Sequence, residues 1–240
     1  FLYLESKRIQ RAEKEYCKRA DLVLAAPNDI DQLMSLGIIK TKFRETYHLG
    51  EDDLLLEETI KFEDTEKVIM FLGTLNWEAN VDGLIHFMDE VFPEILKKEP
   101  DTKLYIIGKD ADNRIVSRCE NHDNILLTGF VENVEPFYKK ARVFILPMRF
   151  GSGIKVKFLN ALYRGIPTVS TDIGAEGLEV EHENEVLIAN TDEEFTSQTL
   201  ELLKNKTLWA KIQNQGRALA QEKYLWKNHL SKLEGYLKEL

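Results

Sequence analysis

The strongest chemical signal in this sequence is a glycine turn flanked by basic side chains, in the stretch RVFILPMRFGSGIKVKFLNALYRG that begins at Arg142. The apolar, partly β-branched run 142–146 predicts a buried strand. Gly151 and Gly153 break that strand, and from Ile154 the apolar residues recur with helical spacing. A turn between a strand and a helix presents free backbone N–H groups at the positive end of the helix dipole. Such a turn can bind an anion.

Three cations surround this turn, Arg149, Lys155 and Lys157, although the formal charge of the chain is −9. Cations are unfavourable at the N-terminal end of a helix, so the cluster favours a bound phosphate. Alternatively, the glycines only form a tight turn and the lysines are solvated, because short glycine patterns are common. The two lysines are two residues apart and would not share a helix face. We therefore expect at most one of them to join Arg149 at a given phosphate.

Regular alternation of apolar runs and amphipathic segments begins at Lys67. The sequence predicts strands at 68–72, 103–107, 125–127, 143–146, 168–170 and 186–188. It predicts helices at 81–97, 113–121, 134–140, 154–164, 192–204, 208–223 and 226–239, with a short or irregular piece near 175–178. This order predicts an α/β fold: a Rossmann-like, doubly wound parallel sheet with strand order 3-2-1-4-5-6 and C-terminal helices. Ligands of such sheets bind beyond the carboxyl ends of the strands, where the glycine turn lies.

The first 66 residues have a different pattern. The sequence predicts a charged helix at 5–19, an apolar strand at 21–26 and a short helix at 29–36 that Asn28 caps. Residues 41–66 are charged and lack periodicity, which indicates a linker with a short strand near Tyr47. We expect the strand at 21–26 to lack a parallel partner nearby. It would then pack in a non-native way or pair with a second copy of the chain.

Composition excludes several classes of protein. The 41 acidic groups outnumber the 32 basic ones, which argues against a general nucleic-acid binder. Two cysteines far apart in sequence, Cys17 and Cys119, favour a reducing compartment over a disulfide framework. No apolar run approaches the ~18 residues of a membrane span. The chain opens with Phe1 and a charged helix, which we interpret as a start within a longer protein.

Several segments in order resemble the C-terminal half of a family 4 glycosyltransferase (glycosyl transferases group 1). They are GTLNWEANVDGLIHFMDEVFP, LYIIGKDA, the block from NILLTGF to GAEGL, and QEKYLWKNHL, which together cover roughly 68–230. The resemblance implies one half of a GT-B fold, in which two Rossmann-like domains face each other across a cleft. Residues 67–223 would be the nucleotide-sugar-binding domain and 224–240 a C-terminal helix. Residues 1–40 would be a remnant of the N-terminal acceptor domain.

The resemblance also implies the roles of individual residues. The base and ribose of the donor are expected near Gly129, Phe130, Val131, Glu132 and Asn160. Its diphosphate is expected against Arg149, Gly151, Gly153, Lys155 and Lys157, with Gly73 and Thr74 in the loop after the first strand. Glu176 is expected to contact the donor sugar or to cap a backbone N–H group. The catalytic side chain would come from the missing domain and is therefore unknown here.

Two positions depart from the pattern of the family. Many relatives have glutamates where this chain has Ser152 and Asn160. Asn160 can still hydrogen-bond a hydroxyl, but it lacks the charge and the second oxygen of a carboxylate. The loop from Gly73 to Trp77 also lacks the basic pair that relatives often have. These differences leave the identity of the donor open.

The resemblance implies a retaining transferase that moves a sugar from a nucleotide diphosphate sugar to a glycan or lipid-linked acceptor in surface polysaccharide synthesis. Neither a metal nor a cofactor is expected, and the enzyme would be cytoplasmic, with any membrane contact made through the missing domain. Two alternatives stay open: half of a non-hydrolysing sugar-nucleotide epimerase, and an inactive nucleotide-sugar-binding module. The segment PMRFGSGIKVK favours the transferase. Self-association of the chain is a further expectation.

Two other residues have competing interpretations. Asp112 ends an Asp-x-Asp that could hold a metal ion beside a diphosphate, but it directly precedes a predicted helix, which favours N-capping. Trp77 could pack over the donor or anchor its loop in the core. The sequence favours the anchoring role.

Overall fold

The computed structural model describes residues 2–46, 49–120 and 122–238. The chain forms two compact units, one of Phe1–Leu49 with Leu225–Leu240 and one of Gly50–Tyr224. Tyr47, near which a short strand was predicted, lies outside the described residues. Within the described ranges, no helix combines the length and the apolar character that crossing a bilayer requires.

The smaller unit begins with helix α1 (Leu2–Arg19), strand β1 (Val23–Ala25), helix α2 (Pro27–Ser35) and strand β2 (Phe43–Glu45). Strands β1 and β2 pair in parallel. The prediction that the first strand lacks a parallel partner is therefore wrong. Its partner lies in the segment interpreted as a linker, where the sequence Phe-Arg-Glu has only one apolar residue and gives no strand signal.

The start of α2 also differs from the prediction. The N-cap is Ala26 rather than Asn28, and Pro27 occupies the first turn of the helix. Proline is favoured there because its missing N–H group would have no helical acceptor in any case. The core of this unit contains the buried side chains of Ile30, Ile38 and Phe43. Self-association of the chain stays a prediction, now without an unpaired strand as its premise.

The larger unit contains the predicted sheet. Its strands are β3 (Val68–Leu72), β4 (Lys103–Ile107), β5 (Ile125–Gly129), β6 (Val143–Leu146), β7 (Thr168–Ser170) and β8 (Leu187–Ile188). They pair in the order β5-β4-β3-β6-β7-β8, and every pair is parallel. This order is the predicted 3-2-1-4-5-6 arrangement, which is confirmed. Strand β6 is fully buried, which explains its unbroken apolar sequence, because helices cover both faces of a parallel sheet.

Helices connect these strands and close the chain. They are α3 (Glu78–His86), α4 (Phe92–Lys98), α5 (Asn113–Cys119), α6 (Glu135–Lys140), α7 (Val156–Arg164), α8 (Asp172–Ala175), α9 (Asp192–Lys204), α10 (Lys206–Lys223) and α11 (Trp226–Leu237). A π-helical turn at Phe87–Val91 separates α3 from α4, where a single helix was predicted. Helix α11 belongs to the smaller unit.

Helix α7 is the element that carries the predicted anion site. It begins at Val156, two residues later than predicted, because Lys155 has an extended backbone and occupies the N-cap position. It ends at Gly165, whose φ of 73° is left-handed, so the prediction of a glycine C-cap is confirmed. Its apolar face, including Phe158, Leu159 and Leu162, is buried and fixes the rotation of the helix against the rest of the unit.

Candidate functional site

A cavity of about 530 Å³, which we call the lysine cavity, lies at the carboxyl ends of β3 and β6. Its walls come from the turn after β3, the start of α3 and the glycine turn before α7. The lining residues are Gly73, Thr74, Trp77, Ala79, Asn80, Met148, Gly151, Ser152, Ile154, Lys155, Val156 and Lys157. The structure thus brings together the glycine turn, which was expected at the diphosphate, and the loop after β3, which was expected at the donor.

Lys157 lines this cavity on the side of α3 and β3. Its Nζ donates a hydrogen bond to Oδ1 of Asn80 at 2.7 Å and lies 4.4 Å from the centroid of the Phe71 ring. Burial, together with the nearby charge of Lys155, lowers the pKa of Lys157 to about 7. The amine is therefore close to its midpoint of protonation at neutral pH, and a bound anion would favour the ammonium form.

Gly73 permits this close arrangement. A Cβ atom at position 73 would lie 3.0 Å from Nδ2 of Asn80 and 3.1 Å from Nζ of Lys157. A side chain there would push both groups out of place. The glycine is thus explained by close approach of side chains to the backbone.

Lys155 lines the same cavity, and the expectation that at most one lysine joins Arg149 at a given phosphate stays a prediction. That expectation assumed that both residues lie on one helix, but Lys155 precedes the first turn of α7. Its Nζ donates to the carbonyl oxygen of Gly153 at 2.7 Å and lies 3.4 Å from Oε2 of Glu176. Burial lowers the pKa of Lys155, while the carboxylate of Glu176 acts in the opposite direction.

Glu176 supplies the negative charge at the glycine turn. Its Oε2 accepts a hydrogen bond from the N–H of Gly153 at 3.1 Å. Of the two roles considered for Glu176, the backbone contact is present in the structure, and the sugar contact stays a prediction. Glu176 also lines a second cavity of about 560 Å³, together with Asp172, His182, Asn190 and Glu194.

Arg149 takes a different position from the two lysines. Its Nη1 lies 3.5 Å from Oδ1 of Asp82, and its side chain is 51% exposed. It lines a small cavity of about 80 Å³ that also includes His86 and Asp192, and it is absent from the lining of the lysine cavity. A role of Arg149 at the diphosphate would therefore require its side chain to leave Asp82.

The residues expected at the base and ribose do not line the two large cavities described above. Gly129 ends β5 with a left-handed φ of 68°, Phe130 is 75% exposed, and Glu132 is also exposed beside the half-buried Val131. On α7, Oδ1 of Asn160 accepts a hydrogen bond from the N–H of Glu51 at 2.9 Å. The Asn160 oxygen expected at the ribose is thus bound to the backbone.

Two of the residues discussed at the sequence level have clear positions. Trp77 is 66% exposed and lines the lysine cavity, so the prediction that it anchors the loop in the core is wrong. Asp112 accepts a hydrogen bond from the N–H of Arg114 at 2.8 Å, which confirms that it caps α5. Among the described residues, no group of three or more His, Cys, Asp and Glu side chains is arranged to hold a metal ion.

Asn80 is the residue of the cavity that the sequence analysis missed. It is only 7% exposed and stands between Ala79 and Val81, which are also buried. An amide within an apolar helix face was the available signal, because buried polar groups need specific partners. The strand–turn–helix pattern indicated the loop that precedes α3 instead.

Comparison with known proteins gives one family match and several relatives of similar sequence. The model of the Glycosyl transferases group 1 family matches residues 66–205. A Klebsiella pneumoniae protein described as an uncharacterized 44.6 kDa protein in the cps region is 31% identical over 172 residues, which cover 68% of this chain and 44% of that protein. The alpha-monoglucosyldiacylglycerol synthase of Streptococcus pneumoniae is 23% identical over 144 residues, or 58% of this chain and 32% of that enzyme.

Solved structures of glycosyltransferases share the fold. HepE of Anabaena, solved in complex with UDP-glucose, superposes with a TM-score of 0.77 at 14% identity and covers 96% of this chain and 67% of that one. A TarM mutant of S. aureus, solved with fondaparinux, alpha-GlcNAc-glycerol and UDP, gives a TM-score of 0.77 at 18% identity, over 92% of this chain and 45% of that one.

This chain spans less than half of the length of the curated relatives described here. The family match covers the whole parallel sheet, including the glycine turn and both lysines. By that match the chain belongs to the Glycosyl transferases group 1 family.

Proposed function

We propose that this chain is the donor-binding half of a retaining glycosyltransferase. It would bind a nucleotide diphosphate sugar, whose sugar is transferred to a glycan or lipid-linked acceptor in surface polysaccharide synthesis. The observation that carries the proposal is the convergence of Lys155, Lys157 and the glycine turn on one cavity at the carboxyl edge of a parallel sheet.

The role of this cavity in the reaction would be to stabilise the departing diphosphate. Negative charge develops on the diphosphate as its bond to the sugar breaks, and fixed donors in a partly buried site stabilise that charge. Lys157, Lys155 and the N–H of Gly153 are such donors. Glu176 now accepts from two of them, so a diphosphate that contacts them would displace this carboxylate.

The other parts of the donor are assigned by position. The displaced Glu176 borders the second cavity, which offers His182 and Asn190 as further hydrogen-bonding groups for a sugar. The exposed loop Gly129–Glu132 follows β5, two strands away from β3 in the sheet, and would contact the base, with Asn160 near the ribose. Uridine is the first base to test, because HepE and TarM were solved with uridine nucleotides.

The cytoplasm is the compartment that this proposal implies, because nucleotide sugars are its substrates. Neither a metal nor a cofactor is required, since the lysines and the helix dipole supply the positive charge.

An inactive nucleotide-binding module is a second candidate. The observation that favours it is the contact of Asn160 with the backbone of Glu51, which occupies the amide oxygen expected at the ribose. Such a module would still bind the diphosphate but would gain little affinity from the ribose.

Isothermal titration calorimetry with UDP, GDP, ADP, their glucose conjugates and the three nucleosides tests the proposal. We expect one diphosphate series to bind more tightly than its nucleoside, and its sugar conjugate to displace it. Equal binding of every nucleoside and its diphosphate would rule out the lysine cavity as a diphosphate site. A diphosphate that binds as tightly as its sugar conjugate and as inorganic pyrophosphate would favour the inactive module.

A further inference from the structure

Asn80 is held in a fixed orientation between two loops of the lysine cavity. Its Nδ2 donates to the carbonyl oxygen of Thr74 at 2.9 Å, and its Oδ1 accepts from Nζ of Lys157 at 2.7 Å. A carbonyl can only accept and an ammonium can only donate, so the two partners fix which end of the amide faces which group. The Lys157 side of Asn80 is therefore always an acceptor.

Lys157 has no carboxylate partner among the described residues. The groups that face it are the Phe71 ring from β3, the backbone of Gly73, the amide of Asn80 from α3 and, among charged groups, Lys155. The carboxylate next to this pair, Glu176, is directed at Lys155. Lys157 thus has a hydrogen-bond acceptor but no neutralising charge.

Helix α3 presents a carboxylate to one basic neighbour and an uncharged amide to the other. Two residues after Asn80, the carboxylate of Asp82 pairs with Arg149, which lies outside the lysine cavity. Inside the cavity, the same helix presents an uncharged amide to Lys157. A carboxylate at position 80 would satisfy the ammonium but would cancel its charge and repel an incoming anion.

We propose that Asn80 is a positioning residue for anion binding: its uncharged amide holds the Lys157 amine at the cavity wall and leaves its positive charge for a diphosphate. This inference rests on the proposed function, because it assumes that the cavity binds a diphosphate. The affinity of the site for an anion then depends on the absence of a countercharge beside Lys157 as well as on the lysine itself.

Two substitutions separate position from charge. Asn80→Asp keeps the size of the side chain and an acceptor for Lys157 but adds a negative charge, whereas Asn80→Ala removes the acceptor. Both variants lose the donor to the Thr74 carbonyl, so the difference between them reports the charge. Asn124→Ala is a matched control, because the Asn124 amide donates to the carbonyls of Pro100 and Thr102 before the amino end of β5, at the opposite edge of the sheet. Thermal unfolding of each variant reports losses of stability that are unrelated to the cavity.

Inorganic pyrophosphate is the probe, because it is independent of the base. We expect Asn80→Asp to weaken its binding by roughly tenfold or more and Asn80→Ala by about threefold to tenfold, the usual effect of losing one hydrogen bond. Asn124→Ala should bind pyrophosphate as the wild type does. Uridine should bind all four proteins within about twofold, since its contacts involve no buried charge.

A second readout follows Lys157 itself. NMR titration of lysines labelled with ¹³C at Cε, with Lys157 identified by Lys157→Met, measures its pKa without any ligand. We expect a near-neutral pKa in the wild type and a higher pKa in Asn80→Asp, which a purely structural role of Asn80 would not produce.

The outcomes are distinguishable. Unchanged pyrophosphate binding by Asn80→Asp, or an unchanged titration of Lys157 in that variant, would overturn this inference alone. If the wild type bound neither pyrophosphate nor any nucleoside diphosphate, the proposed function would fail together with the inference.

Discussion

Lys157 is the residue on which most of the account depends. Its amine lies between Asn80 and Phe71, and no ion pair among the described residues balances its charge. A bound anion stabilises the ammonium form of this amine, because it supplies both a countercharge and a hydrogen-bond acceptor. The effect should be visible as proton uptake.

The first prediction is that binding of UDP takes up protons at and above neutral pH. Lys157 has a pKa of about 7 in the free protein, so it is partly neutral at pH 7 and mostly neutral at higher pH. A bound diphosphate raises this pKa, so the complex holds more protons and affinity falls as pH rises above neutrality. Titration calorimetry in buffers of different ionisation enthalpy measures the uptake.

The protons taken up on binding do not go to UDP. The terminal phosphate of UDP ionises with a pKa near 6, so it is fully charged in this range. Burial also lowers the pKa of Lys155, so this amine contributes to the uptake, and Lys157→Met identifies the share of Lys157. Uptake that persists undiminished in Lys157→Met would assign the protons to another group.

Trp77 gives a second prediction at this scale. Its indole is 66% exposed and lines the lysine cavity, whereas Trp209 is 1% exposed and lies in the core. A ligand that fills the cavity should change the fluorescence of Trp77, and Trp77→Phe should abolish most of the change. If the signal on addition of UDP survives in Trp77→Phe, the ligand binds away from this wall of the cavity.

The glycine turn and α7 form the element that positions both lysines. Gly165 ends α7 with a φ of 73°, and a Cβ atom there would lie 2.8 Å from Cδ of Arg217 on α10. The third prediction is that Gly165→Ala lowers the free energy of unfolding by about 1 kcal/mol or more, since a left-handed backbone disfavours any side chain.

Gly235 is the control for this substitution. It lies in α11, and nothing surrounds the position that its Cβ would occupy. Gly235→Ala should therefore stabilise its helix by up to about 1 kcal/mol. Denaturant unfolding followed by circular dichroism measures both variants, and a neutral or stabilising Gly165→Ala would show that the end of α7 tolerates another backbone conformation.

Sequence periodicity predicted the elements better than it predicted the contacts between them. The six strands and their order followed from apolar runs and from the rules for parallel sheets. A short strand was predicted near Tyr47, but β2 at Phe43–Glu45 and its pairing with β1 were not, because this segment contains one apolar residue. The start of α7 was placed two residues early, so Lys155 and Lys157 were taken as residues of one helix, whereas Lys155 occupies the N-cap position.

Side-chain pairing explains the remaining differences at the site. The charge of Arg149 was visible in the sequence, but its pairing with Asp82 depends on how α3 packs beside β6. In the same way, Asn80 and Asn160 are defined by partners that are distant in sequence, Lys157 and Glu51. Spacing along the chain contains no information about such tertiary contacts.

At the scale of the whole molecule, the described residues include a six-stranded parallel sheet, and the chain spans less than half of the curated relatives described here. The fourth prediction is that this chain binds a donor but transfers no sugar by itself, because transfer requires an acceptor held in near-attack geometry. Incubation with a radiolabelled nucleotide sugar and candidate glycan or lipid acceptors measures transfer. Turnover at rates typical of complete enzymes would show that one sheet suffices for catalysis.

The central claim is that the cavity between the turn after β3 and the glycine turn binds a diphosphate through Lys157. The most direct test compares UDP and uridine binding to the wild type, Lys157→Met and a control, Lys103→Met, whose side chain is exposed at the amino end of β4. Calorimetry measures all six affinities under one set of conditions.

We expect Lys157→Met to weaken UDP binding by about 1.5–3 kcal/mol, the usual contribution of a hydrogen bond to a charged group, and to leave uridine binding nearly unchanged. Lys103→Met should bind both ligands as the wild type does. An equal loss for UDP and uridine in Lys157→Met would place the base rather than the diphosphate at this cavity and would contradict the account.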